Sequence, residues 1–182
     1  MRLFNSGKAQ ETPYAGPRWW QAAIFLAIAL VAQIELMHYA AWRHAEPSLV
    51  LVSVVWYALR TDARRAVLYG LIAGACEDML GGGLTGAGTG GGWTIATTAA
   101  ALLVSSLSQG FFADSIPVVA AAVAVATLFR RLLFWIVMSL EGYPKGYASA
   151  HVHQALWEAL MNVILVTALM LAARVVERRK TA

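Results

Sequence analysis

The chain has 182 residues, of which 59% are apolar and 13% charged, with a formal net charge of +4 and a positive mean hydropathy. That balance lies outside the range of soluble globular domains and leaves no sign of a soluble catalytic domain. The basic residues flank apolar runs, where they set topology, so no nucleic-acid binding is expected.

A bilayer offers backbone groups no partner, so apolar runs of this kind cross it as helices, and no alternating pattern of about ten residues suggests a barrel. The expected fold is all-α, a polytopic membrane helix bundle of about six transmembrane helices. Residues 1–18 are polar, with Pro13, Gly16 and Pro17, and read as a cytoplasmic tail. The first apolar run, Trp19 to Tyr39, has no small-residue cleavage site and reads as an anchor helix rather than a signal peptide. Trp19 and Trp20 at its start, and Tyr39 and Trp42 at its end, form the aromatic belts of two interfaces.

The second run, Ser48 to Leu59, opens after Pro47 and ends at the charged segment Arg60 to Arg65. At about 1.5 Å per residue it falls short of the ~30 Å hydrocarbon core. The third run, Ala66 to Leu80, and the fourth, Trp93 to Leu107, are also short. Between them the stretch GGGLTGAGTGGG, from Gly81 to Gly92, is too glycine-rich for a continuous helix and reads as a flexible or tightly turned loop, with a re-entrant pair as the alternative. It lacks any basic residue and any G-x-x-x-x-G-K-[ST] pattern, so it is no phosphate loop. Pro117 opens a fifth, alanine-rich helix to Leu140, and after the EGYPKGYASAHVH segment a sixth runs from Leu156 to Val176. The transmembrane helical domain is therefore expected over 19–176, and 177–182 form a basic cytoplasmic tail.

Charge supports this topology, because positive residues stay on the cytoplasmic side. With the N-terminus inside, the inner segments hold ten basic residues: Arg2, Lys8, Arg18, Arg60, Arg64, Arg65, Arg174, Arg178, Arg179 and Lys180. The outer loops hold two, Arg43 and Lys145. His38, His44, His151 and His153 then fall at the outer ends of the first and sixth helices or beside them. No helical H-x-x-x-H and no carboxylate partner accompanies them, and no metal site is predicted.

Charges inside an apolar helix are costly and need a partner, a cavity or an interface position. Arg130 and Arg131 lie in the middle of the fifth run, and Glu77 or Asp78 near the end of the third are their candidate partners. Glu35 and Glu158 are placed near the outer headgroups, where they need no special partner. The single cysteine, Cys76, reads as a small packing residue. There is no H-E-x-x-H, no G-x-S-x-G and no serine with an obvious nearby base; no catalytic activity and no cofactor are expected.

Glycines recur every fourth residue at Gly70 and Gly74, then at Gly82, Gly86 and Gly90, with Asp78 completing the register. In a helix that spacing clears one face for close backbone approach. Ala23 with Ala27, and Ala120 with Ala124, offer further small-residue faces.

The stretch from Pro47 to Gly86 resembles the MreD family, the small multispanning subunit of the bacterial rod-shape machinery. The similarity rests on Pro47 opening the second helix, Trp56 with Tyr57 ending it, the basic turn Arg60 to Arg65, and the series Gly70, Gly74, Asp78, Gly82 and Gly86. Thr85 replaces a leucine common in that family, and Glu77 doubles the acidic position. The resemblance implies a non-catalytic scaffold in the bacterial inner membrane, binding an MreC-type partner and, indirectly, MreB and the elongation synthases. In it, the series residues would form a packing or partner interface. MreD-like proteins also resemble, in fold, the substrate-binding S components of energy-coupling-factor vitamin transporters, which defines the rival reading. An ordered outer pocket gathering Trp93, Trp157 or Glu158 would favour that rival.

Overall fold

The computed structural model describes residues 16–43, 45–85, 91–108, 115–142, 146 and 148–180. Six α-helices follow in chain order: α1 (Trp19–Glu35), α2 (Leu49–Ala58), α3 (Ala63–Thr85), α4 (Gly92–Ser108), α5 (Ile116–Leu140) and α6 (Ala148–Lys180). Among the described residues the only strand-like pairing is the isolated bridge between Trp42 and Ala45. The chain is an all-α bundle, and α5 and α6 are long and apolar enough to cross a membrane.

Local signals explain where the helices begin. Arg18 donates its backbone N–H to Gln21 Oε1 at 3.1 Å just before α1. Pro47 keeps the chain extended ahead of α2, and the Ser48 hydroxyl then accepts the Leu51 N–H at 3.1 Å as its N-cap. Before α3 the Asp62 carboxylate accepts the Arg65 N–H. Pro117 sits in the first turn of α5, where its missing N–H costs nothing. The same helix ends at Gly142, whose φ of +95° is the left-handed closure that glycine adopts without strain.

The shortest helix is the most central. α2 is apolar on every side, and Val50, Leu51, Val52, Val54, Val55 and Ala58 are all buried, as expected of a helix enclosed by others. One face joins Ala22 and Leu26 of α1 with Tyr69 and Ala73 of α3. The other joins Ala100 and Val104 of α4, Val119, Val123 and Ala126 of α5, and Val166 of α6. The outer faces are apolar too: Ile24, Ile28, Leu68, Ile72, Leu132 and Ile164 are all exposed. An exterior of this kind suits lipid rather than water.

Several boundaries differ from the sequence expectation, among them the start of α3 at Ala63 and the end of α6 at Lys180, inside the expected tail. α1 ends at Glu35, and the chain tightens into a 3-10 turn over Met37–Ala40 before reaching Trp42. α3 does not stop at Leu80 but continues through Gly81, Gly82 and Gly83 to Thr85. Glycine costs a helix about 1 kcal/mol each but keeps every hydrogen bond, so the run weakens α3 without ending it at Leu80. α6 begins at Ala148, ahead of Leu156, because the alanines of that segment favour helix and Ala155 is buried. With 33 residues, α6 is about 50 Å long, and its last turns are exposed on all sides. The alanine faces are mixed: Ala23 and Ala27 point outward, while α1 packs through Ala22, Leu26 and Ala29.

Candidate functional site

The register Gly70, Gly74, Asp78 places three residues on successive turns of one face of α3, and that face meets α4. A Cβ at Gly70 would lie 2.7 Å from the Ala101 Cβ and 3.1 Å from the Thr97 carbonyl oxygen. One at Gly74 would lie 2.6 Å from the Thr94 Cα and 2.8 Å from the Trp93 carbonyl oxygen. The two helices touch backbone to backbone there. One turn further, the Asp78 carboxylate accepts the Trp93 N–H at 3.1 Å and the Thr94 N–H at 2.8 Å, with the Thr94 hydroxyl at 2.6 Å. These N–H groups belong to the first turn of α4, which leaves them without intrahelical acceptors. Asp78 thus caps a helix other than its own, with its negative charge at the positive end of the α4 dipole. Asp78→Ala should cost about 1–2 kcal/mol of stability, read as a lowered thermal midpoint in detergent, and Asp78→Asn should cost less because one acceptor remains.

Beside this cap lies a buried ion pair. Arg130 Nη2 of α5 donates to Glu77 Oε1 at 2.9 Å, with the two side chains 4% and 13% exposed. The Thr97 hydroxyl donates to the second Glu77 oxygen at 3.1 Å, and Arg130 Nη1 donates to the Ser48 hydroxyl at 3.3 Å. Arg130 Nε finds no hydrogen-bond acceptor among the described residues. The guanidinium instead lies 4.4 Å from the centre of the Trp93 ring, a cation–π contact that partly offsets the missing bond. Trp93 in turn stacks on Phe134, with ring centroids 3.9 Å apart.

The polar contacts continue into α6 and α1. Arg131 Nε donates to Glu158 Oε2, and Glu158 is 1% exposed. This corrects the expectation that Glu158 needs no special partner: α5 packs on α6, and a carboxylate on the bundle-facing side of α6 needs the adjacent cation. Glu35 is exposed. Asn162 Oδ1 accepts the Ser48 N–H at 2.6 Å, and its Nδ2 donates to the Thr127 hydroxyl at 3.1 Å. Gln33 of α1 donates to the Pro47 carbonyl at 3.1 Å and accepts the Leu49 N–H at 2.7 Å. The buried start of α2 is therefore satisfied from both sides.

Of the residues singled out in the sequence, the structure joins Glu77, Asp78, Arg130 and Arg131 in one region, with Gly70 and Gly74 on the helix face leading to it. Pro47 is buried at the start of α2. Gly82 lies within α3, and Gly86 falls outside the described residues. Gln33, Ser48, Thr97, Thr127 and Asn162 completed the network without having been singled out. The available signal was their polarity within apolar runs, which in a membrane helix marks interhelical hydrogen bonding.

One member of the network reaches a cavity: Arg131, with Trp135 and His151, lines a pocket of about 200 Å³ between α5 and α6. Trp93 contacts Arg130, Arg131 and Phe134, and Glu158 holds Arg131; neither residue, nor Trp157, lines the α5–α6 pocket or the cleft between α1 and α3. Trp157 donates its indole N–H to His153 Nε2 at 2.9 Å. No group of three His, Cys, Asp or Glu gathers among the described residues. His44 lies outside them. Cys76 is half-buried on α3.

No curated protein and no solved structure matches the chain. The family model described as rod shape-determining protein MreD matches residues 17–176, a span that includes every residue of the network. The chain belongs to the MreD family.

Proposed function

We propose that this protein is a non-catalytic scaffold of the cell-wall elongation complex in the bacterial inner membrane. It holds an MreC-type membrane partner and, through it, helps link MreB to the elongation synthases. The MreD family has its role in rod-shape determination, and its members are membrane proteins not known as enzymes. The observation that carries the scaffold reading is the disposition of charge in the bundle: Glu77, Arg130, Arg131 and Glu158 bond to one another and to neighbouring helices. What remains for a partner is the apolar outer helix surface, the kind of face against which another transmembrane helix packs.

On this reading, Gly70, Gly74 and Asp78 serve the partner indirectly. They fix α3 against α4 and so set the shape of the surface around them. Both termini lie in the cytoplasm, as the ten-to-two distribution of basic residues favours. The vitamin-transporter reading has no support from the comparisons, and Trp93, Trp157 and Glu158 line neither the α5–α6 pocket nor the α1–α3 cleft.

A tagged pull-down from native membranes in mild detergent, read by mass spectrometry, tests the proposal. Co-purification of an MreC-like protein with MreB is the expected result. Recovery of paired ATP-binding cassette subunits with a coupling membrane protein would overturn it.

A further inference from the structure

At the end of the bundle where α1 and α3 begin, the two helices part. Tyr69 of α3 donates its hydroxyl to the Ala22 carbonyl at 3.1 Å, and Tyr57 of α2 stacks on Tyr69 with ring centroids 4.5 Å apart. Beyond that pinned floor α1 and α3 enclose a laterally open cleft of about 700 Å³. Gly16 closes its end by lying against the Arg60 carbonyl oxygen.

The lining is ordered by polarity. Arg18 and Arg65 stand at the rim, and Ala23, Leu26, Leu68 and Ile72 form the walls further along the helices. Trp19 and Trp20, 77% and 44% exposed, mark the level of a membrane interface between the two zones. Arg60 and Arg64 lie in the same turn between α2 and α3, on either side of Asp62. Asp62 pairs with Arg65 at 3.3 Å, but both side chains are more than half exposed, and a pair of that kind yields readily to a stronger anion. Arg60 is drawn over the Trp56 ring.

We propose that this cleft binds one anionic phospholipid, its phosphate between Arg18 and Arg65 and an acyl chain along Ala23, Leu26, Leu68 and Ile72. The volume fits a bound small molecule, for which about 300–1,000 Å³ is usual, whereas a partner helix of about 20 residues needs a longer groove. Basic pockets between membrane helices hold such headgroups by the same charge complementarity. Assignment to the cytoplasmic leaflet rests on the proposed orientation, but binding in detergent does not, nor does it depend on any protein partner.

The test is native mass spectrometry of the detergent-solubilised full-length protein, titrated with phosphatidylglycerol or with phosphatidylcholine of the same acyl chains. Wild type should retain the anionic lipid about tenfold or more over the zwitterionic one. Arg18→Gln with Arg65→Gln should abolish that preference, while Arg178→Gln with Arg179→Gln, exposed on the last turns of α6 and outside the cleft lining, should leave it intact. Phosphatidylglycerol should also raise the thermal midpoint of wild type and not of the cleft variant, a comparison that holds even if the variant is itself less stable. Equal retention of both lipids, or equal losses in the two arginine variants, would overturn the proposal. A photo-cross-linker at position 23 in native membranes should capture lipid; a polypeptide adduct in its place would also overturn it.

Discussion

Arg130→Ala is expected to destabilise the bundle by about 3–5 kcal/mol, because it leaves Glu77 buried without its cation. Whole domains are stable by only about 5–15 kcal/mol, so the variant should accumulate poorly and unfold well below wild type. Glu77→Ala should do the same from the other side, stranding a guanidinium that is 4% exposed. The informative variant replaces the pair together, Glu77→Met with Arg130→Met. Two apolar chains of similar length remove the uncompensated charge, and such exchanges are often neutral. Some cost should persist, since Thr97 and Ser48 lose the partners they now have. A thermal midpoint in detergent that recovers most of the loss identifies charge pairing as the cause. A double variant as unstable as the worse single one would show that the side chains matter for packing and not for charge.

The second large effect belongs to Gly74. An alanine there places its Cβ 2.6 Å from the Thr94 Cα and 2.8 Å from the Trp93 carbonyl oxygen. Both are backbone atoms and cannot rotate away, so α3 and α4 must separate. Overpacking of this kind costs about 1–3 kcal/mol, and Gly74→Leu should exceed that because separation also draws the Trp93 and Thr94 N–H groups off Asp78. Gly146→Ala is the control: among the described residues nothing lies within 4 Å of its added Cβ, and its effect should stay within about 0.5 kcal/mol. Comparison of thermal midpoints checks all three. If the Gly74 variants matched Gly146→Ala, the close α3–α4 contact would be wrong. In cells the scaffold reading adds that Gly74→Leu should impair rod shape without altering any residue on the partner-facing surface.

Much of this was legible in the chain because it is set locally. Apolar runs with basic flanks specify helices and their number whatever packs against them, and a repeat of four places Gly70, Gly74 and Asp78 on one face wherever that face turns. The cost of an intramembrane charge is likewise a property of the residue, which is why Glu77, Asp78, Arg130 and Arg131 could be singled out. The first part of the glycine run, Gly81 to Thr85, is helical where a loop was expected, because glycine weakens a helix without breaking it; residues 86–90 lie outside the described residues. Glu158 misled because its depth on α6 does not say which way it faces.

The sequence by itself determined an all-α chain of six apolar segments, the register of the glycines and the need of its buried charges for partners. Only the tertiary structure decided that Arg130 meets Glu77, that Arg131 meets Glu158 and that Asp78 caps α4. Those choices depend on which helices lie side by side, and that is settled by close packing summed over the whole bundle, to which no short stretch of sequence has access.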